Sequence, residues 1–512
     1  MGKRKLAVTS IVFIILTLCI KVSGLLRDMV IAYYFGDTYQ ADAYLAAFII
    51  PNMLFLFLTT GMKNAFIPSY LAAKETGTST ILFNQIWKVT GTISLGLGII
   101  GMFTAPLIIP NIYPDFQPAA MTIAVQVTMI FMGCVSFVGL NAVFEAYFDA
   151  ESQYTVSAIS QLFVLLTMIS SAMLFANQIG PYALAFGYLA GVIISLLFKL
   201  IIMHKQHILQ WTAKIQRQEV KAFFIVFFPV AITVMVGQVN LAVDNIFASY
   251  FEEGVVTYVN YAKNLVHFPQ AIFAVTIGTI TFPLIAKSYA KGNIKQLKGR
   301  LEQGLMVMCY VLLPAITGMM LLMPTIIQLL FERGAFTRAA TLATTQVAYY
   351  YLGSVIFFSL TVIINNGIYT LKKGHVVMWI GLGSILFNLL CNSIFTKWLG
   401  YVGIPFASSI VGFVYAISCY VFLIRQVGFL FKLKEIIEIV KIILSLIVMI
   451  IAIRFIANIQ AYMTNGMFLM ITIFLGVLIY VLCSYILKIK SFYFLWNTLR
   501  KKDNKQMLEE QP

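Results

Sequence analysis

Charge is scarce in this sequence, and acidic charge is scarcest: 19 Asp and Glu stand against 35 Lys and Arg among 512 residues, and charged residues make up 11% of the whole. Soluble domains carry about 25% charged residues, so a soluble globular protein is excluded. Histidine occurs four times (His204, His207, His267, His375), always in an expected cytoplasmic loop or within a helix. An acid–base enzyme working at the outer face would therefore lack its commonest group. Six cysteines lie singly in apolar segments, with no CxxC pair and no metal-ligand spacing, and read as small buried hydrophobes. No soluble basic domain exists to hold a nucleic acid, so the net charge of +16 must be understood from its placement.

What fills the chain instead is hydrocarbon. Hydrophobic residues reach 61%, the mean hydropathy is +0.91, and runs of the roughly 20 residues that cross a bilayer recur from end to end. Hydropathy predicts about fourteen spans, at 7–34, 43–72, 81–109, 120–148, 154–176, 181–203, 220–249, 256–288, 302–330, 340–370, 376–396, 401–426, 436–458 and 465–488. The basic start followed by an apolar run imitates a signal peptide, but the apolar pattern resumes past Arg27 to Phe35. A long uncleaved first helix is expected. Cytoplasmic loops should be rich in Lys and Arg. With the N-terminus inside, the outer loops hold only Arg333, Arg338 and Lys397, while the inner segments collect Lys3, Arg4, Lys5, Lys74, Lys205, Lys214, Arg217, the 287–300 cluster, Lys372, Lys373, Lys432, Lys434 and the basic tail. Both termini are expected in the cytoplasm.

The chain also resembles itself. The pattern AYYFGD…IIPN…NAFIPSYLAAKETG of residues 32–77 returns loosely as ASYFEE…HFPQ…ITFPLIAKSYAKG in 248–292. Such repeats are common in secondary transporters, with the substrate site between the halves. Two six-helix lobes are expected at 1–215 and 216–430, then a helix pair at 431–490 and a cytoplasmic tail at 491–512.

Charges inside spans cost roughly 2.5–3.5 kcal/mol each on insertion scales, so they normally face a bundle interior or an aqueous cavity. Lys21 and Arg27 stand in the first helix, Lys63 in the second and Lys263 in the eighth. A cavity lined by these four suits an anion, and phosphate is what such donors bind best. Lys199, Lys441 and Arg454 sit nearer helix ends and are expected to snorkel. Asp244 on the seventh helix, with Asn388 and Asn392 on one face of the eleventh, suits a hard cation such as sodium, or equally interhelical hydrogen bonding. Lys287, Lys291, Lys295 and Lys298 are spaced as a basic stripe on one helical face. It reads either as anionic-lipid contact or as the plain inside-positive bias.

Five segments, SGLLRDMVIAYYFGDTYQADAYLAAFIIPN, NAFIPSY, QVNLAVDNIFASYFEEGVVTYVNYAKNLVHFPQ, GTITFPLIAKS and LFERGAFT, resemble the lipid II flippases of the MurJ (MviN) family, in register over at least twelve helices. The resemblance implies an all-α multidrug/oligosaccharidyl-lipid/polysaccharide (MOP) flippase fold with two pseudo-symmetric six-helix lobes around a cationic cavity and a further helix pair. It implies movement of lipid II, an undecaprenyl-pyrophosphate-linked disaccharide-peptide, to the outer leaflet of a bacterial cytoplasmic membrane by alternating access. Arg27 matches an essential cavity arginine, and Asp28, Asp42 and Asn52 match polar residues near it. Lys21 stands where the family usually has arginine. The chain departs at Phe55, Leu56 and Thr60, where the family usually has an arginine after Pro-Asn and an acid before Gly, and at Asn264, where Lys263 precedes the usual arginine position. A twelfth-helix hydroxyl, Ser408, joins the sodium ligands of some members. No cofactor is expected beyond sodium or membrane-potential coupling. Lipid II and membrane lipids are the expected partners of a monomer. The alternatives are a related flippase for another undecaprenyl-linked saccharide and, in a different class, a membrane glycosyltransferase or glycan polymerase. The short outer loops disfavour such enzymes.

Overall fold

The computed structural model describes residues 22–205, 208–210, 216–430, 433–458 and 460–497; Lys21 and the signal-like start lie outside them. All regular structure in the described residues is helical, as a bilayer requires of a chain whose backbone must satisfy itself. The helices are α1 (residues 22–35), α2 (Tyr39–Glu75), α3 (Ser79–Ile112), α4 (Pro118–Ala150), α5 (Tyr154–Ile179), α6 (Tyr182–Lys205), α7 (Arg217–Ala248) and α8 (Val255–Val266). A π-turn (Gln270–Ala274) leads into α9 (Val275–Ala290), followed by α10 (Ile294–Phe331), α11 (Arg338–Thr370), α12 (Gly374–Leu399), α13 (Gly403–Val427), α14 (Leu433–Ala457), α15 (Asn465–Ile486) and α16 (residues 490–497). Twelve stretches among the described residues are long and apolar enough to cross a membrane, one of them (Gly374–Val427) holding both α12 and α13. The protein is a multi-pass membrane protein.

The expected eighth span, 256–288, holds two helices, α8 and α9, joined through the π-turn. One expectation is corrected here. The four lysines expected on a single helical face are split by a turn: α9 ends at Ala290, Gly292 has φ +68°, and α10 starts at Ile294.

The chain packs as two compact units. The first comprises Met1–Asn260 with Phe331–Ala340. In it α2 packs on α4 and α7, α3 on α4, and α5 on α6. Small residues let the backbones close up, as is usual between membrane helices: a Cβ on Gly191 of α6 would lie 2.2 Å from Thr167 Oγ1 and 2.6 Å from the Val164 Cα of α5. The LFERGAFT segment belongs to this unit from Phe331 onward and closes a clasp on the end of α1. Ala335 N–H donates to Tyr33 O at 2.9 Å. Gly36 and Gly334 both have φ +58°, and a Cβ on either would fall 2.2 Å from the opposing carbonyl oxygen.

The second unit is Tyr261–Leu330 with Thr341–Pro512. Its larger core gathers Leu301, Leu305 and Met308 of α10 with Ile363, Ile364 and Ile368 of α11 and Cys419 and Leu423 of α13. A separate cluster joins α14 and α15 to Tyr310 of α10 through Ile442, Met449, Ile453, Phe468 and Tyr480, and the Tyr480 hydroxyl donates to Tyr310 O at 2.9 Å.

Candidate functional site

The expected anion-binding arginine stands where an anion could reach it. Arg27 donates from Nη2 at 2.8 Å and Nε at 3.0 Å to the same oxygen of buried Asp28, and a quarter of its side chain stays accessible. Its guanidinium carbon lies 5.6 Å over the Phe48 ring, a cation–π seat that holds the charge without neutralising it. Phe48 in turn meets Phe131 at 5.1 Å and Tyr188 at 6.2 Å. Phe55, at a position where the resembling family has arginine nearby, is buried and stacks on Tyr188 at 5.4 Å and 14°. The floor around Arg27 is therefore aromatic.

Other expected site residues do different work. Asp42 is buried and serves as the cap of α8: one carboxylate oxygen accepts from Gly254 N–H at 2.6 Å, and the other accepts from the Thr257 N–H at 2.8 Å and hydroxyl at 2.6 Å. That satisfies donors a helix N-terminus leaves open. Asn52 follows Pro51 in α2 and is partly exposed. Lys63 faces its own unit, with Nζ 3.0 Å from Asp149 and 3.4 Å from Glu145.

Lys199, expected to snorkel, is instead fully buried. Its Nζ donates to Asn141 Oδ1 at 2.6 Å, Glu145 Oε1 at 2.9 Å and Ser195 Oγ at 3.2 Å. Gln161 adds a donor to Glu145 Oε2 at 3.0 Å. Burial this complete is tolerable because two lysines meet two carboxylates and the remaining valences are hydrogen-bonded. The network borders a cavity of about 350 Å³ lined by Thr59, Thr60, Lys63, Glu145, Gln161 and Tyr188, among others. Sequence reading missed Glu145 and Asp149, although two acids one turn apart at the end of an apolar span were a usable signal.

In the second unit Lys263 is buried on α8 and Asn264 beside it is exposed. His267 lies one turn on. Its Nδ1 is 3.1 Å from Lys263 O, and its Nε2 is 3.5 Å from the Ser354 hydroxyl. Among the expected sodium ligands, Asp244 is buried in the first unit, on α7. Asn388 and Asn392 are buried on α12 in the second unit, where Asn392 Nδ2 donates to Asn388 Oδ1 at 3.2 Å. Ser408 sits on α13 beside Ala407, and α13 packs on α12 through Cys391, Ala407 and Val411. No group of three or more His, Cys, Asp or Glu among the described residues could hold a metal ion.

The chain as a whole is similar to known proteins. The sequence profile described as "Lipid II flippase MurJ" matches residues 31–477. The "Probable lipid II flippase MurJ" of Buchnera aphidicola subsp. Acyrthosiphon pisum (strain APS) is 25% identical over 477 residues, covering 90% of this chain and 93% of that protein. The solved structure titled "Lipid II flippase MurJ, inward closed conformation" superposes with a TM-score of 0.78 at 25% identity, covering 93% of this chain and 98% of that one. An inward-facing multidrug resistance MATE family transporter of the MOP superfamily shares the fold at TM-score 0.69 and 13% identity, over 80% of this chain and 94% of its own. With the profile spanning nearly the whole chain, this protein belongs to the lipid II flippase MurJ family.

Proposed function

We propose that this protein flips lipid II from the inner to the outer leaflet of the bacterial cytoplasmic membrane by alternating access between two six-helix lobes, 1–215 and 216–430. It works as a monomeric transporter, not an enzyme, with both termini in the cytoplasm. The observation that carries the reading, beyond family membership, is Arg27: a partly accessible guanidinium on α1, seated on Phe48 of α2 with Asp28 as its counter-charge. Pyrophosphate matches its donors. Arg27→Ala should abolish transport with membrane levels unchanged, and Arg27→Lys should recover it partly at best, because the planar fork is lost. Lipid II accessibility at the outer leaflet is the readout. Wild-type transport by Arg27→Ala overturns the assignment of this residue.

The aromatic floor at Phe55 favours a second reading, a flippase for another undecaprenyl-linked saccharide. Depleting the essential flippase in a host carrying this gene separates the two: restored growth supports lipid II, and export of a different polymer without growth supports the alternative. For the drive, sodium is the proposed coupling ion, and Asp244, Asn388, Asn392 and Ser408 are the residues whose oxygens suit it. A ligand of the folded state stabilises by RT ln(1 + [L]/Kd), so sodium should raise the unfolding temperature more than potassium does, and Asp244→Asn should remove the difference. Equal shifts with both ions would reduce these residues to packing contacts.

A further inference from the structure

Away from Arg27 and its surroundings, the foot of the α14–α15 pair gathers cations that the flipping mechanism does not use. Both helices end here: α14 begins at Leu433, and α15 finishes at Ile486. Lys434 is the second residue of α14, and Lys441 lies about two turns further on. The chain leaving α15 reverses at Lys488, which adopts φ +52°, a left-handed backbone that glycine or asparagine would occupy more cheaply. The reversal brings Lys488 and Lys490 back to α14 and is pinned there by buried Glu438, whose Oε1 accepts from the Ser491 N–H at 2.8 Å and hydroxyl at 2.6 Å. The result is a pocket of about 130 Å³ lined by Lys434, Ile437, Glu438, Lys441, Lys488 and Lys490. Glu438 is its one carboxylate. Glu435 and Glu302 line a neighbouring pocket, which Lys490 also borders.

The helix that follows lies across this foot. In α16, Phe492 and Leu495 pack on the α14–α15 cluster, Phe492 stacks on Trp496 at 6.0 Å, and Trp496 is 55% exposed. An exposed tryptophan beside the end of two apolar helices is the pattern of a membrane–water interface. A small basic pocket at that depth, between membrane helices, has the chemistry of a lipid headgroup site. Its volume is well below the roughly 300 Å³ at which pockets begin to take a larger ligand, so it suits a single phosphate group.

We propose that this foot binds the phosphate of an anionic phospholipid, phosphatidylglycerol in its simplest form, through Lys434, Lys441, Lys488 and Lys490. The bound lipid ties the α14–α15 pair to the membrane surface. The site stands apart from the proposed flipping activity and does not depend on it.

The test uses the purified full chain in phosphatidylcholine vesicles doped with spin-labelled phosphatidylglycerol, reading the immobilised lipid fraction. The double variant Lys488→Gly/Lys490→Gln removes two of the four cations while glycine keeps the left-handed reversal. At about a fivefold change for each lysine near a membrane surface, it should weaken binding by roughly 30-fold. The charge-matched double Lys291→Gln/Lys295→Gln, at the α9–α10 turn and the start of α10, should change it by less than about threefold. Lys434→Gln/Lys441→Gln reads the same pocket from α14 and should match the first variant, which keeps the test decisive if that variant folds poorly. Equal losses in the site and control doubles would mean diffuse surface electrostatics and overturn the proposal, as would no loss in either site double. Displacement of the lipid by millimolar inorganic phosphate would make this a site for free phosphate and overturn the lipid assignment. Failure of competition by inorganic phosphate supports it.

Discussion

The two copies of the internal repeat meet the same difficulty and resolve it differently. In the first, α2 runs for 37 residues straight through Pro51. Proline has no N–H, so the carbonyl four residues back is left without its helical donor. That carbonyl belongs to Ala47, and the Thr128 hydroxyl of α4 donates to it at 3.2 Å, while the Tyr113 hydroxyl covers Ala46 O next to it at 3.3 Å. In the second copy the proline step falls at Pro269. There α8 has ended at Val266, and the backbone widens into the π-turn Gln270–Ala274 before α9 resumes. A proline in a membrane helix is smoothed over when a neighbour's hydroxyl reaches the orphaned carbonyl, and otherwise the helix changes its hydrogen-bond register. The copies also use their lysines differently. Lys63 in α2 is held by Glu145 and Asp149 of α4, whereas Lys263 in α8 lies one turn before His267 and the break.

Removing Glu145 should break this contrast most severely. Glu145→Ala leaves the fully buried Lys199 without its carboxylate, and breaking a buried pair from one side costs about 3–5 kcal/mol. A steep fall in unfolding temperature and in membrane level is expected. Adding Lys199→Met should recover much of the loss, since a whole buried pair can be exchanged for apolar residues at little cost. No recovery in the double variant would show that the network contributes more than charge balance.

Asp42→Ala should rank next. It strips the cap from α8 and leaves three donors without their acceptor, for a loss of about 2 kcal/mol. Asp42→Asn keeps one oxygen and should lose less. Hydrogen exchange at Val255–Val266 is the specific readout: faster exchange confined to α8 supports the cap, and unchanged exchange removes it.

Lys63→Gln sharpens the comparison with the smallest change in stability. Its side chain is 29% exposed and Glu145 keeps Lys199 and Gln161, while Asp149 loses a partner, so the expected cost is about 1 kcal/mol. Near-normal transport by this variant would fit a lysine committed to its own unit. Abolished transport at unchanged stability would instead return Lys63 to the substrate-binding set beside Arg27.

The helical class and the family were legible in the residues, because a bilayer admits few backbone solutions and an apolar run of spanning length announces its own fold. The LFERGAFT motif was legible as a signature, and its physical content proved to be two left-handed glycines closing on each other's carbonyl neighbours. Arg27 could be singled out for the same reason: a charge in hydrocarbon is costly enough to demand a purpose. The sequence could not say which partner relieves that cost. Lys199 looked like a snorkelling residue by its place near a helix end, yet its amine is enclosed by Asn141, Glu145 and Ser195, residues that only the packing of α4 on α6 brings to it. Asp42 looked like a cavity acid, yet it caps a helix that begins more than two hundred residues later in the chain. The spacing that makes a helix cross the membrane is local and survives in a string of letters. The pairing of its charges is decided across helices, over distances of about 3 Å, and so belongs to the tertiary structure alone.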